Sequence, residues 1–572
     1  MEKPDIKINS GEFKSFVKQE STDDGLMLMH ISFYSDIPKI PSGISVRFTL
    51  PCADVYSLWA PLSETRNVLV PEGFISTVKS DIAHGAPIAM LVSKSGKNKA
   101  TVALSDAVTA SNIKIRVLES EMAFSVIVNL FTEAIEEITD FVVMLRIDLR
   151  DIRYEDALCD AEKWWGGFYG AANVPETSRM PMFSTWYNFH QNISDRELLK
   201  QCQVAVNYGM KTIIIDDGWQ TEENGGGYAY CGDWQVAGSK IKDMKKLVDD
   251  IHKIGMKIML WYSVPFIGKY AQNFSRFKGK FLNKAEQFGI LDPRFRECRE
   301  FIVSVYEKAV TDWELDGLKL DFIDQFRFTE YSSEEYGLME CVSLEKGVEL
   351  LLDEINTALK SANPDFMIEF RQKYIGPAAR KVGNMLRVID CPYSSEQNKT
   401  DIINLRLLSG KTAVHSDMIM WREDECVESA ALQVIATIYG VPQISVKLDT
   451  LPAEQAKMLL FYLDFWIKNR KILLDGKLSA LNPESSYSLI KSELDGSGII
   501  TAYTRNDIDL RGLRYGSIIN ATGEESLIIC TEAPVTCEIY DCMGNRIDNI
   551  AEICGISRIS VPKSGLINFH AC

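Results

Sequence analysis

A chain of 572 residues exceeds what one hydrophobic core can organise, so two to four domains are expected. Hydrophobic residues at 46% and charged residues at 25% exclude disordered and fibrous classes. A net charge of −17 repels phosphate backbones and anionic headgroups, which argues against nucleic acid or a membrane as partner and leaves neutral ligands such as sugars open.

The amino-terminal text, MEKPDIKINSGEFK, lacks the basic stretch and apolar core of a secretory leader. No apolar run reaches the roughly 18 residues that span a bilayer. Thirteen cysteines without a C-x-x-C pair fit reduced thiols in a cytoplasmic protein. Cys530, Cys537, Cys542, Cys554 and Cys572 crowd the C-terminal end, but their spacing matches no zinc pattern and no metal is expected. A homo-oligomer is compatible with all of this.

In chain order, residues 1–152 alternate short β-rich stretches (ISVRFTL, APIAMLVS, AFSVIVNLF, FVVMLRIDL) and read as an N-terminal β-sandwich. Residues 153–180 read as a linker helix, YEDALCDAEKWW, ended by glycines. Across 181–478, eight strand-like runs (MFSTWY, KTIIID, KIMLWY, GLKLDF, MIEFR, MLRVID, TAVHS, PQISV) alternate with amphipathic stretches such as IKDMKKLVDDIHKIG. Eight β-then-α units over about 300 residues is the rhythm of a (β/α)8 TIM barrel in the α/β class. An open doubly wound sheet alternates in the same way, so the count of eight carries the distinction. Residues 479–572 return to β-rich text and read as a smaller C-terminal antiparallel β domain, a second sandwich.

Barrel active sites lie at the C-terminal strand ends, so charged residues there are the candidates. Strand two ends in Asp216, Asp217, Gly218 and Trp219; strand four in Lys319 and Asp321; strand five in Glu369 and Arg371; strand six in Arg387 and Asp390. Alternation puts Lys319 on the face of Asp321, where a cation would hold that carboxyl ionised for attack on a sugar carbon. The plain alternative is a buried ion pair that only closes the barrel. Asp390, with Arg387 as its one nearby cation, is expected to keep a raised pKa and to donate a proton. Two such acids are what glycoside hydrolysis needs, and retention needs them roughly 5 Å apart. Trp186, Tyr187, Trp219, Trp234 and Trp261 fall at or beyond strand ends, where rings stack on pyranose faces, although each alone is more often packing. His190 and His415 lie near strand ends too, and structural roles are expected for both. Asn224-Gly225-Gly226-Gly227 does not open a helix as G-x-G-x-x-G, so no dinucleotide site and no cofactor are expected.

These residues resemble glycoside hydrolase family 36 of clan D, the α-galactosidases. The likeness runs through W-Y-N-F at 186–189, I-I-D-D-G-W ending at Trp219, G-D-W at 232–234, G-M-K-I-M-L-W at 255–261, L-K-L-D at 318–321 and R-V-I-D-C-P at 387–392. The resemblance implies flanking β-sandwiches, Asp321 as nucleophile and Asp390 as acid/base. It also implies that Asp216 and Asp217 grip O4 and O6 of galactose and that Lys319 bonds O3 and O4. Trp186 would wall the subsite, with Asp233 and Trp234 on the loop that borders it. Two departures stand out. The family's E-x-C-x-G-G-G after strand five, a region that reads the C2 substituent, is here Glu369-Phe370-Arg371-Gln372-Lys373-Tyr374, and W-T-S-D is here R-V-I-D. Arg371 and Arg387 are therefore candidates for the 2-OH, for an anionic decoration, or for neighbouring acids.

The expected activity is that of a retaining exo-α-galactosidase on small galacto-oligosaccharides or glycosides. The alternatives are an α-N-acetylgalactosaminidase, a raffinose-synthase-like transglycosylase, or a sugar-binding protein without catalysis. Asp324 and Asp417 are the next candidates should Asp390 not be the acid/base.

Overall fold

The computed structural model describes residues 4–62, 76–329, 338–371 and 373–572, so Gln372 lies outside the described residues. The alternating text of the N-terminal region forms a five-stranded and a six-stranded antiparallel sheet. Every second residue points inward, so Ile31, Val46, Val126 and Leu145 from both sheets share one buried core. The helix Tyr154–Trp165 follows, with Tyr154, Leu158, Ala161 and Trp165 buried. Its ends tie both β domains together: the Trp165 indole donates to the Leu104 carbonyl at 2.7 Å, and the Tyr154 hydroxyl donates to the Ala480 carbonyl at 2.7 Å.

Eight parallel strands then close into a barrel: Met182–Ser184, Thr212–Ile215, Lys257–Ser263, Gly317–Asp321, Met367–Arg371, Met385–Arg387, Ala413–Ile419 and Val441–Ile444. Strand one pairs with strand eight (Met182 with Gln443), and that closure excludes the open doubly wound sheet. The intervening helices have local causes. Met244–Ile254, for example, starts at Asp243, whose carboxylate accepts the Lys246 N–H at 3.0 Å. It buries Leu247, Val248 and Ile251 and ends at Gly255, whose φ of +94° suits a residue without Cβ.

The barrel interior changes character along its axis. Met182, Ile214, Met259, Met367, Met385 and Ala413 form an apolar plug from six strands. Gly317 lets that plug close, since a Cβ there would sit 2.6 Å from the Met367 carbonyl oxygen and 2.9 Å from the Met259 Cγ. Two residues further along the same strands come Asp216, Trp261, Lys319, Glu369, Arg387 and His415, all buried, and two further again Asp321 and Arg371. A dry lower barrel therefore supports a charged upper one.

One layer was not foreseen. After strand three, Phe266–Gly268, Phe281–Lys284 and Phe288–Leu291 make a three-stranded antiparallel insertion. The C-terminal residues build an eight-stranded, mostly antiparallel sheet that also includes two parallel pairings. Ile500, Ile518, Ile529 and Phe569 sit at its core.

Candidate active site

Asp321 ends strand four, and the next residue, Phe322, leaves the strand in the left-handed region at φ +67°. That turn points the Phe322 N–H at the Asp321 carboxylate, 2.8 Å away. The other carboxylate oxygen accepts the Trp261 indole N–H at 2.9 Å. Arg371 at the end of strand five brings Nε to within 2.5 Å of the first oxygen, as an ion pair that lacks hydrogen-bond alignment. The carboxylate is thus oriented from three sides, with room for one more partner on the Trp261-bonded oxygen.

The same Arg371 guanidinium reaches Asp390, whose Oδ2 lies 2.8 Å from Nη1. One guanidinium spanning both acids keeps their nearest oxygens within roughly 8 Å of each other. Phe322 supports the bridge, its ring centroid 4.6 Å from the Arg371 guanidinium carbon and 4.6 Å from the Phe266 ring of the insertion. Asp324 brings a third carboxylate: its Oδ1 lies 3.7 Å from Arg371 Nη2, beyond hydrogen-bond reach, and has no hydrogen-bond partner among the described residues.

Strand six stops at Arg387, three residues short of Asp390. The chain leaves the ladder because the Cys391 N–H turns to the buried Asp417 carboxylate of strand seven at 2.7 Å. Arg387 fills the corner thus formed. It bonds Asp390 at 2.8 Å and Asp417 at 2.5 Å, with Glu369 3.8 Å from its Nε. The Tyr187 hydroxyl donates at 2.8 Å to the same Asp417 oxygen that accepts the Cys391 N–H.

This arrangement corrects the expectation of a raised Asp390 pKa. Burial does push that carboxyl up, but the charges of Arg387, Arg371 and Lys319 outweigh it and hold the group well below the ordinary carboxylate range. The acids raised by burial are instead Asp217, to about 6, together with Asp417 and Glu369 behind the pocket. His415 is pushed down to about 3 by burial, and its Nε2 lies 2.8 Å from the Ser178 carbonyl, a structural place.

The cation partner of Asp321 is corrected too. Lys319 pairs with Asp216 at 2.5 Å, and Arg371 supplies the charge beside Asp321. Asp217 accepts from the Gln191 amide at 2.8 Å and from the Gln220 amide at 2.7 Å. Gly218 permits this, because a Cβ at its φ of +125° would lie 2.6 Å from the Gln191 Cα.

Three other candidates are engaged by the protein's own groups. Trp219 is fully buried, sealed by Trp234, Tyr262 and Trp313, and donates to the Trp261 carbonyl at 2.9 Å. The Asp233 carboxylate binds the Gln272 and Asn273 N–H groups at 2.8 and 3.1 Å and so fastens the insertion loop. Glu369 is fully buried and takes the Gln443 amide at 2.5 Å. Trp234 is half-buried against Tyr262, and half-buried Trp186 packs edge-on to His190. Sequence reasoning missed Gln191, Gln220, Phe322 and Gln443. Only Phe322 carried a signal, as the residue directly after the strand-four acid.

The chain thus places a closed (β/α)8 barrel, with acids gathered at its C-terminal mouth, between two β domains. A family model described as Melibiase matches residues 172–386, from before strand one into strand six. "Alpha-galactosidase 2" of Pediococcus pentosaceus is 24% identical over 205 residues, which is 34% of this chain and 28% of that protein's length. The whole chain has the fold of solved α-galactosidases. That of Lactobacillus brevis superposes with a TM-score of 0.68 at 12% identity, covering all of this chain and 86% of the other. A variant of the GH36 α-galactosidase AgaA of Geobacillus stearothermophilus, in complex with raffinose, superposes with a TM-score of 0.67 at 11% identity, covering 98% and 81%.

Proposed function

We propose that the protein is a retaining exo-α-galactosidase that removes terminal α-galactosyl units from small oligosaccharides or glycosides. The observation that carries this reading is the single guanidinium of Arg371 spanning two acids, Asp321 and Asp390, at the barrel mouth. Asp321 attacks the anomeric carbon, held in line by Trp261 and Phe322 N–H, and forms a covalent glycosyl-enzyme. Asp390 protonates the departing oxygen and then takes a proton from the incoming water. Protonating Asp390 requires Arg371 to let go of it, so substrate entry and the arming of the acid are one event. Asp216, paired with Lys319, and Asp217 receive the hydroxyls of the terminal sugar.

Arg371 beside the nucleophile fills the space next to the anomeric carbon with a planar cation. This favours a hydroxyl at C2 over a bulky N-acetyl group. The thirteen cysteines, all free thiols, support a reducing compartment such as the cytoplasm. No helix among the described residues is long and apolar enough to cross a membrane.

The test is a panel of aryl α-glycosides differing only at C2 and C4. The α-galactoside is expected to exceed the α-glucoside and the α-N-acetylgalactosaminide by roughly a hundredfold or more in kcat/KM. An α-glucoside turned over as fast would overturn the assignment.

A further inference from the structure

We infer that Asp324 is a positioning residue for the acid/base: it takes up the Arg371 guanidinium when that group leaves Asp390. The inference rests on the galactosidase reading above, in which Asp390 carries a proton only after Arg371 has let go.

Three acids share this guanidinium, one on each nitrogen. Asp321 faces Nε, Asp390 accepts from Nη1 at 2.8 Å, and Asp324 Oδ1 lies 3.7 Å from Nη2. Two of these atoms are left over. Arg371 Nε and Asp324 Oδ1 are closed off from solvent and have no hydrogen-bond partner among the described residues. The second Asp324 oxygen takes the neighbouring Gln325 amide at a long 3.4 Å. A buried acceptor without a partner costs free energy, and no water reaches this one, so its partner has to come from the protein. Arg371 is the cation the structure places beside it.

The backbone around the pair is fixed, which leaves the Arg371 side chain to move. Asp324 lies on the short turn after strand four, and buried Ile323 and Phe326 anchor that turn. Strand five is tied to strand four just beyond Arg371, where the Tyr374 hydroxyl donates to the Leu320 carbonyl at 2.7 Å. Closing 3.7 Å to the ordinary length of an N–H···O bond, about 2.9 Å, takes a shift of roughly 1 Å. The Phe322 ring centroid lies 4.6 Å from the guanidinium carbon, so contact with the ring survives a slide of that size.

Charge favours the slide. Only 9% of the Arg371 side chain is exposed, and Asp321 is not aligned to bond its Nε, so a guanidinium that lost Asp390 without gaining another acid would be left undersatisfied. Asp390 is the open member of the group, with 45% of its side chain exposed against 7% for Asp324. Its proton therefore comes from solvent and passes to the departing oxygen, while Arg371 keeps all of its own. The other groups acting on Asp390 are anchored: Arg387 by Asp417, Lys319 by Asp216 and the Tyr187 hydroxyl by Asp417. Arg371 is the partner that can change places.

The test follows the pH at which kcat/KM for an unactivated α-galactosyl disaccharide declines, in the full-length protein. With Asp324→Asn the guanidinium has no second acid to move to. The decline is expected to begin about one pH unit lower, with kcat/KM about tenfold down above it, through kcat rather than KM. Asp324→Glu is expected to recover most of that loss. Asp324→Ala is expected to shift the decline as Asn does, and to fold, because a carboxyl with an orphaned oxygen supplies little to stability. In Arg371→Met, adding Asp324→Asn is expected to move the decline no further, whereas an effect acting on Asp390 through space alone would persist there. An unshifted decline in both Asp324→Asn and Asp324→Ala overturns the inference, and so does a shift that persists in the Arg371→Met background. A wild-type protein that turns over neither this disaccharide nor an aryl α-galactoside overturns the parent reading instead.

Discussion

Arg371 donates to Asp390 at 2.8 Å from the side that also faces Asp321. A carboxylate depressed by cations recovers when one is removed, so Arg371→Met raises the Asp390 pKa. On an unactivated disaccharide, kcat/KM declines with rising pH as Asp390 loses its proton. In Arg371→Met that decline is expected to begin at least about one pH unit higher, a change of roughly 1.4 kcal/mol in favour of the protonated acid. An aryl galactoside, whose leaving group needs little protonation, is not expected to share the shift. Identical profiles for variant and wild type on the disaccharide would show that Arg371 does not govern the acid.

Trp261 holds the nucleophile through one hydrogen bond, Nε1 to Asp321 at 2.9 Å. Trp261→Phe keeps most of the buried ring but removes that donor. A hydrogen bond to a charged group is worth about 1.5–3 kcal/mol, so kcat should drop by roughly ten- to a hundredfold. Tm and kcat measured together separate this from unfolding. A kcat within twofold of wild type would mean that Phe322 N–H and Arg371 suffice to orient Asp321.

Much of the barrel was legible because its signals are local. Each of the eight strands is a short buried run, and the acids ending strands two and four follow directly from alternation. What failed was partner choice across the barrel. Lys319 shares a face with Asp321, yet Asp216 of strand two is nearer to its ammonium group, and that contact depends on barrel closure rather than on any spacing in the sequence. Asp390 misled for a similar reason. Arg387 was visible three residues away, whereas Arg371 comes from the neighbouring strand. Trp219 and Asp233 sat in the right motifs, but their directions are set by packing partners in the insertion and helices, which no motif records.

Azide can distinguish the two acids by the product it makes. In Asp321→Gly the vacated side lets azide attack the sugar opposite the leaving group, and an aryl α-galactoside is expected to give β-galactosyl azide. In Asp390→Ala the glycosyl-enzyme still forms from an activated substrate, and azide then yields α-galactosyl azide. Without azide, Asp321→Asn is expected to lose about 10⁴-fold or more in kcat, and Asp390→Ala less on good leaving groups. Proton NMR of the products reads the anomeric configuration. α-Azide from both variants would remove Asp321 from the nucleophile's role and pass the question to Asp324.

Asp217 should set an acid limb of activity. Burial raises its carboxyl to about 6, against the pull of Gln220 and Gln191. Ionised, it accepts hydrogen bonds from sugar hydroxyls; protonated, it gives up part of that capacity. kcat/KM for an aryl α-galactoside should therefore rise with pH through about 6, and Asp217→Asn should remove that limb while lowering the plateau. Stability runs in the opposite sense. The folded-state pKa lies above the unfolded value of about 3.9, so between about pH 4 and 6 the unfolded chain releases this proton first and folding weakens as pH rises. Denaturant unfolding at the two ends of that window should show wild type losing up to roughly 2–3 kcal/mol relative to Asp217→Asn. Parallel curves for the two proteins would mean that Asp217 is already ionised in the folded protein, and that the acid limb belongs to another carboxyl.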